Sequence, residues 1–170
     1  MLDYKLFQSN YVLANQQSFI EHCNFVKLQN LNKDLTKSYH EYNIFSATAG
    51  SVYFYNLFKE LRDIIRTELP TGPLWMQAWL NYHTQEQVLD WHDHSWDYHG
   101  YVSIAPNDTV TEFETYQIKN KIGQIYFGPG NRPHRVNVLT PFDTHRITIG
   151  YDVTADPIMG TGCLGLLPLL

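Results

Sequence analysis

Hydrophobic residues fall into two regimes along the chain. Between residues 51 and 69, Phe54, Leu57, Phe58, Leu61, Ile64, Ile65 and Leu69 keep a 3.6-residue period, with Lys59, Glu60, Arg62, Asp63 and Arg66 on the opposite side. That pattern predicts an amphipathic helix that buries one stripe. Ser51 is placed to cap its start, and Pro70, Gly72 and Pro73 stop it. A looser helical spacing of Phe19, Ile20, Cys23, Phe25 and Val26 predicts a second helix over 16–31. Nothing in either helix calls for chemistry.

After Pro73 the period shortens to two. Strands are predicted over 74–82, 100–105, 109–115, 123–127, 134–138 and 146–153, separated by turn residues such as Pro106-Asn107-Asp108, Lys119-Asn120-Lys121 and Pro129-Gly130-Asn131. Short strands at this spacing predict a mainly β fold with N-terminal helices, built as a sandwich, barrel or jelly roll. Within 146–151, Ile147, Ile149 and Tyr151 share one face while Arg146, Thr148 and Gly150 share the other. The apolar face would pack on the helices. The polar one would either line a cavity or meet water.

Composition narrows the function classes. The 170 residues carry 12 Lys+Arg against 17 Asp+Glu, a net charge of −5, which argues against a nucleic-acid binder whose affinity comes from neutralising phosphates. Charged residues are 17% and aromatic residues 15%, the reverse of a disordered chain. The opening residues contain no apolar signal core, and no run approaches the roughly twenty apolar residues of a membrane span. Cys23 and Cys163 have no zinc-binding or redox spacing and read as two reduced thiols of a cytoplasmic protein. The apolar tail Cys163-Leu164-Gly165-Leu166-Leu167-Pro168-Leu169-Leu170 would pack on the domain or on a second copy in a homodimer.

The histidines change the picture. Eight are present, and His83, His92, His94 and His99 fall within seventeen residues. His92 and His94, two apart on an extended segment, point to one side, and neutral imidazoles suit Fe, Zn, Cu or Ni. His134, beside a predicted strand, is the best third ligand. Twelve residues later Arg146 offers a forked donor matched to a carboxylate, and the Thr148 hydroxyl on the same face can join the same anion. Trp91, Trp96, Tyr98 and Tyr101 around the pair read either as rim packing or as an aromatic substrate mouth.

On these residues the chain resembles the 2-oxoglutarate/Fe(II)-dependent oxygenase superfamily. That pattern is HxD or HxE, a long gap, a distal His, then about ten to thirteen residues to an Arg with Ser or Thr two places on. His134, Arg146 and Thr148 fit its second half, and the likeness covers roughly residues 74–153. His92-Asp93-His94 departs from its first half, in the manner of a branch of small oxygenases with HxH.

At 170 residues the chain reads as a single domain, with a helical region over 1–72, a strand-rich core over 73–155 and a tail over 156–170. The resemblance implies that the core is a double-stranded β-helix supported by the N-terminal helices. It implies Fe(II) bound by His92, His94 and His134, and 2-oxoglutarate held through its distal carboxylate by Arg146 and Thr148. Activity would be dioxygenation, ending in hydroxylation of a small-molecule or peptidyl substrate with release of succinate and CO2. Three neutral imidazoles offset none of the metal's charge, so Asp90, Asp93 and Asp97 are weighed as a replacement carboxylate, Asp93 ranking below His94. Two alternatives stand beside this: a cupin-like three-His dioxygenase without 2-oxoglutarate, for which Arg146 would be superfluous, and a non-catalytic or zinc-binding jelly-roll module.

Overall fold

A computed structural model describes residues 4–157 and 165–170. The apolar periodicities resolve into β1 (Lys5–Gln8), α1 (Asn10–Ala14), α2 (Gln16–Gln29), a 3-10 turn (Tyr39–Glu41), α3 (Ile44–Ala47) and α4 (Val52–Glu68). The strands β2 (Trp75–His83), β3 (Tyr98–Ala105), β4 (Thr109–Phe113), β5 (Gln117–Lys119), β6 (Gln124–Pro129), β7 (His134–Val138), β8 (Arg146–Thr154) and β9 (Leu167–Pro168) follow. They form an antiparallel six-stranded sheet in the order β1-β6-β3-β8-β2-β9 and a three-stranded sheet in the order β5-β4-β7. The fold is a double-stranded β-helix, mainly β, with helices at its N-terminal side.

Strands β8, β2 and β3 turn their aliphatic residues toward the helices. Ile147, Ile149, Tyr151 and Val153 of β8, Met76, Ala78 and Leu80 of β2, and Val102 and Ile104 of β3 meet Phe19, Cys23 and Val26 of α2 and Phe54, Leu57, Leu61 and Ile65 of α4 in one buried cluster. Each fully buried large side chain contributes about 1.5–3 kcal/mol. Two glycines permit close approaches. A Cβ on Gly100 would meet Tyr151, whose hydroxyl passes over it to donate to the Tyr126 carbonyl at 2.9 Å. A Cβ on Gly150 would meet the Trp79 indole at 2.6 Å.

Several local expectations need correction. Ser51 sits at the N-cap of α4, but its side chain makes no capping bond. The Lys119 turn residue belongs to β5, and strand 109–115 ends at Phe113. The described end of the tail packs on this chain: β9 pairs with β2, the Leu169 amide donates to the Leu74 carbonyl at 2.8 Å, and Leu169 is fully buried. Cys163 lies outside the described residues, whereas Cys23 is buried and its thiol is pushed up to about 12, which keeps it unreactive. No helix among the described residues is long and apolar enough to cross a membrane.

Candidate metal and anion site

The inward face of the large sheet carries the polar half of the alternation. On β8 these residues are Arg146, Thr148, Gly150 and Asp152, all buried. Register places Thr148 between Asn81 of β2 and Ser103 of β3, Gly150 between Trp79 and Tyr101, and Asp152 between Gln77 and His99. The predicted choice between cavity and solvent therefore falls on the cavity side. A second cluster of Tyr101, Phe113, Ile118 and Tyr126 closes the space between the sheets.

Histidines gather at the Asp152 end. The segment carrying His92 pairs with β7 through a bridge, His92 amide to His134 carbonyl at 3.0 Å and the reverse bond at 2.8 Å. His92, His94 and His134 each offer a ring nitrogen, the three lying within 4.8 Å of one another. Their other nitrogens are already engaged. His92 Nδ1 donates to the Asp90 carbonyl at 2.7 Å, and His134 Nδ1 donates to the Arg132 carbonyl at 2.8 Å. His94 Nδ1 lies 3.1 Å from Asp152 Oδ2.

Carbonyls and carboxylates only accept, so each Nδ1 carries a proton, and in the neutral form of each ring Nε2 is left with the lone pair. Burial, reinforced by the neighbouring His99 and His92 rings, pushes His134 down to about 2, and burial also lowers His92. Both are neutral at neutral pH. His94 Nε2 is buried without any hydrogen-bond partner, an orphan that a metal ion would satisfy. The donor set fits a divalent transition metal.

Asp152 is the carboxylate that sequence reasoning missed. It is completely buried and takes the His94 and His99 Nδ1 protons, the latter at 3.0 Å. Burial raises its pKa, opposed by the His94 hydrogen bond. His94, His99 and Asp152 also form a cluster within 4.8 Å, but its atoms already satisfy one another as a hydrogen-bonded group backing His94. The carboxylates weighed from sequence lie elsewhere. Asp93 is exposed, Asp90 binds the Trp91 amide at 2.8 Å, and Asp97 accepts from Thr154 Oγ1 and the Ala155 amide at 3.0 Å. Continuing the β8 alternation by one more step reaches Asp152 and is the signal that would have found it.

Arg146 occupies the other end of the same cavity, which Trp79, Asn81, Tyr101 and Val136 also line. It is 3% exposed, and among the described residues no carboxylate pairs with it. Its Nη1 donates to Thr148 Oγ1 at 3.4 Å and its Nε has no partner. Burial brings it down to about 10, which leaves it charged at neutral pH. Thr148 Oγ1 also accepts from Asn81 Nδ2 at 3.2 Å, so its own proton remains to donate.

The aromatic residues divide. Trp79 stacks on His94 with centroids 5.6 Å apart, Tyr101 stacks on Tyr126 and Tyr98 on Phe127 as packing, while Trp91 is 44% exposed and lies under the Arg135 guanidinium.

No family model matches the chain, and no curated protein matches its sequence. Solved structures do match its shape. The non-heme α-ketoglutarate-dependent epimerase SnoN from nogalamycin biosynthesis aligns over 89% of this chain and 76% of its own, with 10% identity and a TM-score of 0.57. The non-heme monooxygenase ThoJ, solved as a nickel complex, aligns over 89% and 73%, with 12% identity and a TM-score of 0.53. The chain has the fold of these two proteins. At such identities the likeness speaks for architecture, and function rests on the site itself.

Proposed function

We propose that this protein is an Fe(II)- and 2-oxoglutarate-dependent oxygenase that acts on a small-molecule or peptidyl substrate. One observation carries the reading. A buried, uncompensated guanidinium and three converging imidazole lone pairs share one cavity. Holding a guanidinium out of water without a counter-ion costs on the order of several kcal/mol, so the fold is built around an anion that joins it. The fold, shared with SnoN and ThoJ, is one that can carry such a site.

His92, His94 and His134 would hold the metal through Nε2, with Asp90, Asp152 and Arg132 fixing each ring from behind. Arg146 and the Thr148 hydroxyl would take the distal carboxylate of 2-oxoglutarate through charge-assisted hydrogen bonds. Together a bound metal and cosubstrate would supply O2 activation coupled to oxidative decarboxylation to succinate and CO2. Trp79, Tyr101, Val136 and Leu89 wall the space and keep bulk water from the centre. The free volume there is about 30 Å³, less than a five-carbon diacid fills, so binding one would require the lining side chains to move apart.

Aerobic incubation with Fe(II), ascorbate and 2-oxoglutarate tests this, with succinate as the readout. The wild-type protein forms succinate and the Arg146→Gln variant does not. Iron-loaded protein that binds metal but forms no succinate would contradict the assignment. Because all three convergent side chains are imidazoles, a cupin-like three-His dioxygenase is the second reading. It requires no anion at Arg146.

A further inference from the structure

Among the described residues Asp152 is the only acidic side chain that is buried, and it is fully so. A carboxylate taken out of water needs a compensating cation or it disfavours the fold. Among those residues its ion-pair partners are His94 and His99, with no Lys or Arg. Arg146 stands on the same face of β8, but three alternations away, roughly 20 Å along the strand. The inner face thus holds two buried groups of opposite charge, too far apart to neutralise each other.

The three convergent imidazoles are backed unequally. His92 and His134 donate their Nδ1 protons to backbone carbonyls, which are neutral, whereas His94 faces a carboxylate. Asp152 is held from both sides, with His99 Nδ1 3.0 Å from Oδ1 and His94 Nδ1 3.1 Å from Oδ2. His99 stacks on His94 with centroids 3.8 Å apart, so a dication on His94 would keep His99 neutral. It then brings a hydrogen bond and no second positive charge. A metal ion on His94 Nε2 is therefore the cation that this carboxylate lacks, one imidazole away.

We propose that Asp152 is a positioning residue for the metal: acting through His94, it supplies the negative charge that a centre of three neutral imidazoles lacks, while His99 holds the carboxylate in place. This rests on the metal half of the oxygenase reading and extends it, because it says which imidazole binds hardest. An ionised acceptor behind a ring raises its basicity more than a carbonyl does, so His94 is the strongest of the three donors.

The test titrates metal-free full-length protein with Co(II), read by affinity and by the visible ligand-field bands. Asp152→Asn keeps the shape and an oxygen that can accept from His94, and deletes only the charge. It lowers Co(II) affinity about 10–100-fold and shifts the bands, while thermal unfolding of the metal-free protein is unchanged or higher. Asp93→Asn deletes the same charge from an exposed neighbour of both histidines, and its effect stays within about twofold because water and salt screen it. In Zn(II)-loaded wild-type protein, long-range proton–nitrogen NMR finds His94 Nδ1 protonated and Nε2 on the metal, a readout that needs no variant to fold.

Wild-type affinity and wild-type bands in Asp152→Asn overturn the proposal and leave the oxygenase reading standing. So does an equal loss in Asp93→Asn, which would make the effect one of overall field, and so does a His94 bound to Zn(II) through Nδ1. A wild-type protein that takes up no Co(II) overturns the proposal and the metal centre together.

Discussion

The two faces of β8 are made from one stretch of nine residues and do opposite work. Ile147, Ile149, Tyr151 and Val153 point to the helices, are at most 2% exposed and belong to the main core. Arg146, Thr148, Gly150 and Asp152 are equally buried, yet they face a cavity with a free guanidinium at one end and a histidine cluster at the other. Burial alone therefore does not separate fold from function in this strand. The outer face has every surface matched by a neighbour, whereas the inner face retains polar groups with nothing to bind. His94 Nε2 and Arg146 Nε, both buried without a partner, stand where a ligand is proposed, and packing elsewhere offsets their burial.

Changes on the two faces should separate cleanly. The largest effect is expected from His134→Ala, which removes one of three convergent donors and should abolish stoichiometric metal binding, read by metal analysis after desalting. Unchanged metal content would remove His134 from the site. On the outer face, Ile149→Ala should lower stability by about 2–5 kcal/mol, measured by denaturant unfolding, because it opens a cavity in the core. Metal affinity of the folded fraction should persist.

Gly150→Ala blurs the two faces. Its new Cβ would meet the Trp79 ring at 2.6 Å, and Trp79 in turn stacks on His94. A loss of about 1–3 kcal/mol is expected, together with weakened metal binding. Arg146→Gln should do the reverse of a core mutation, leaving stability equal or higher while raising the 2-oxoglutarate requirement. A large loss of stability would show that Arg146 is structural.

The smallest effect concerns pH. The pKa of His83 is lowered in the folded chain from 6.5 to about 4, so the unfolded chain binds its proton more readily. Its contribution to stability is present above pH 6.5 and is lost as pH falls toward 4. His83→Phe should flatten the stability profile across that window, and an unchanged slope would mean the ring is hydrated.

Much of this division was legible in the sequence because β8 and α4 carry strict periods. The alternation in 146–151 marked both faces, and HxH with the His134 to Arg146 spacing drew attention to residues that the fold brings into one cavity. Features set by distant partners were not legible. β1 exists because Lys5 to Gln8 find β6 more than a hundred residues later, and β9 because Leu167 and Pro168 return to β2. Neither segment carries a signal of its own. Asp152 escaped for a different reason: the carboxylate that contacts His94 lies 58 residues away in sequence, outside any local pattern around the HxH pair.

The most direct test of the central claim is an anaerobic titration of metal-free protein, first with Fe(II) and then with 2-oxoglutarate, followed in the visible range. The account predicts a metal-to-ligand charge-transfer band that needs both components, forms with one equivalent of each, and is lost in His134→Ala. Stoichiometric iron binding with no band on adding 2-oxoglutarate would contradict it and leave the three-His dioxygenase or a metal-binding module.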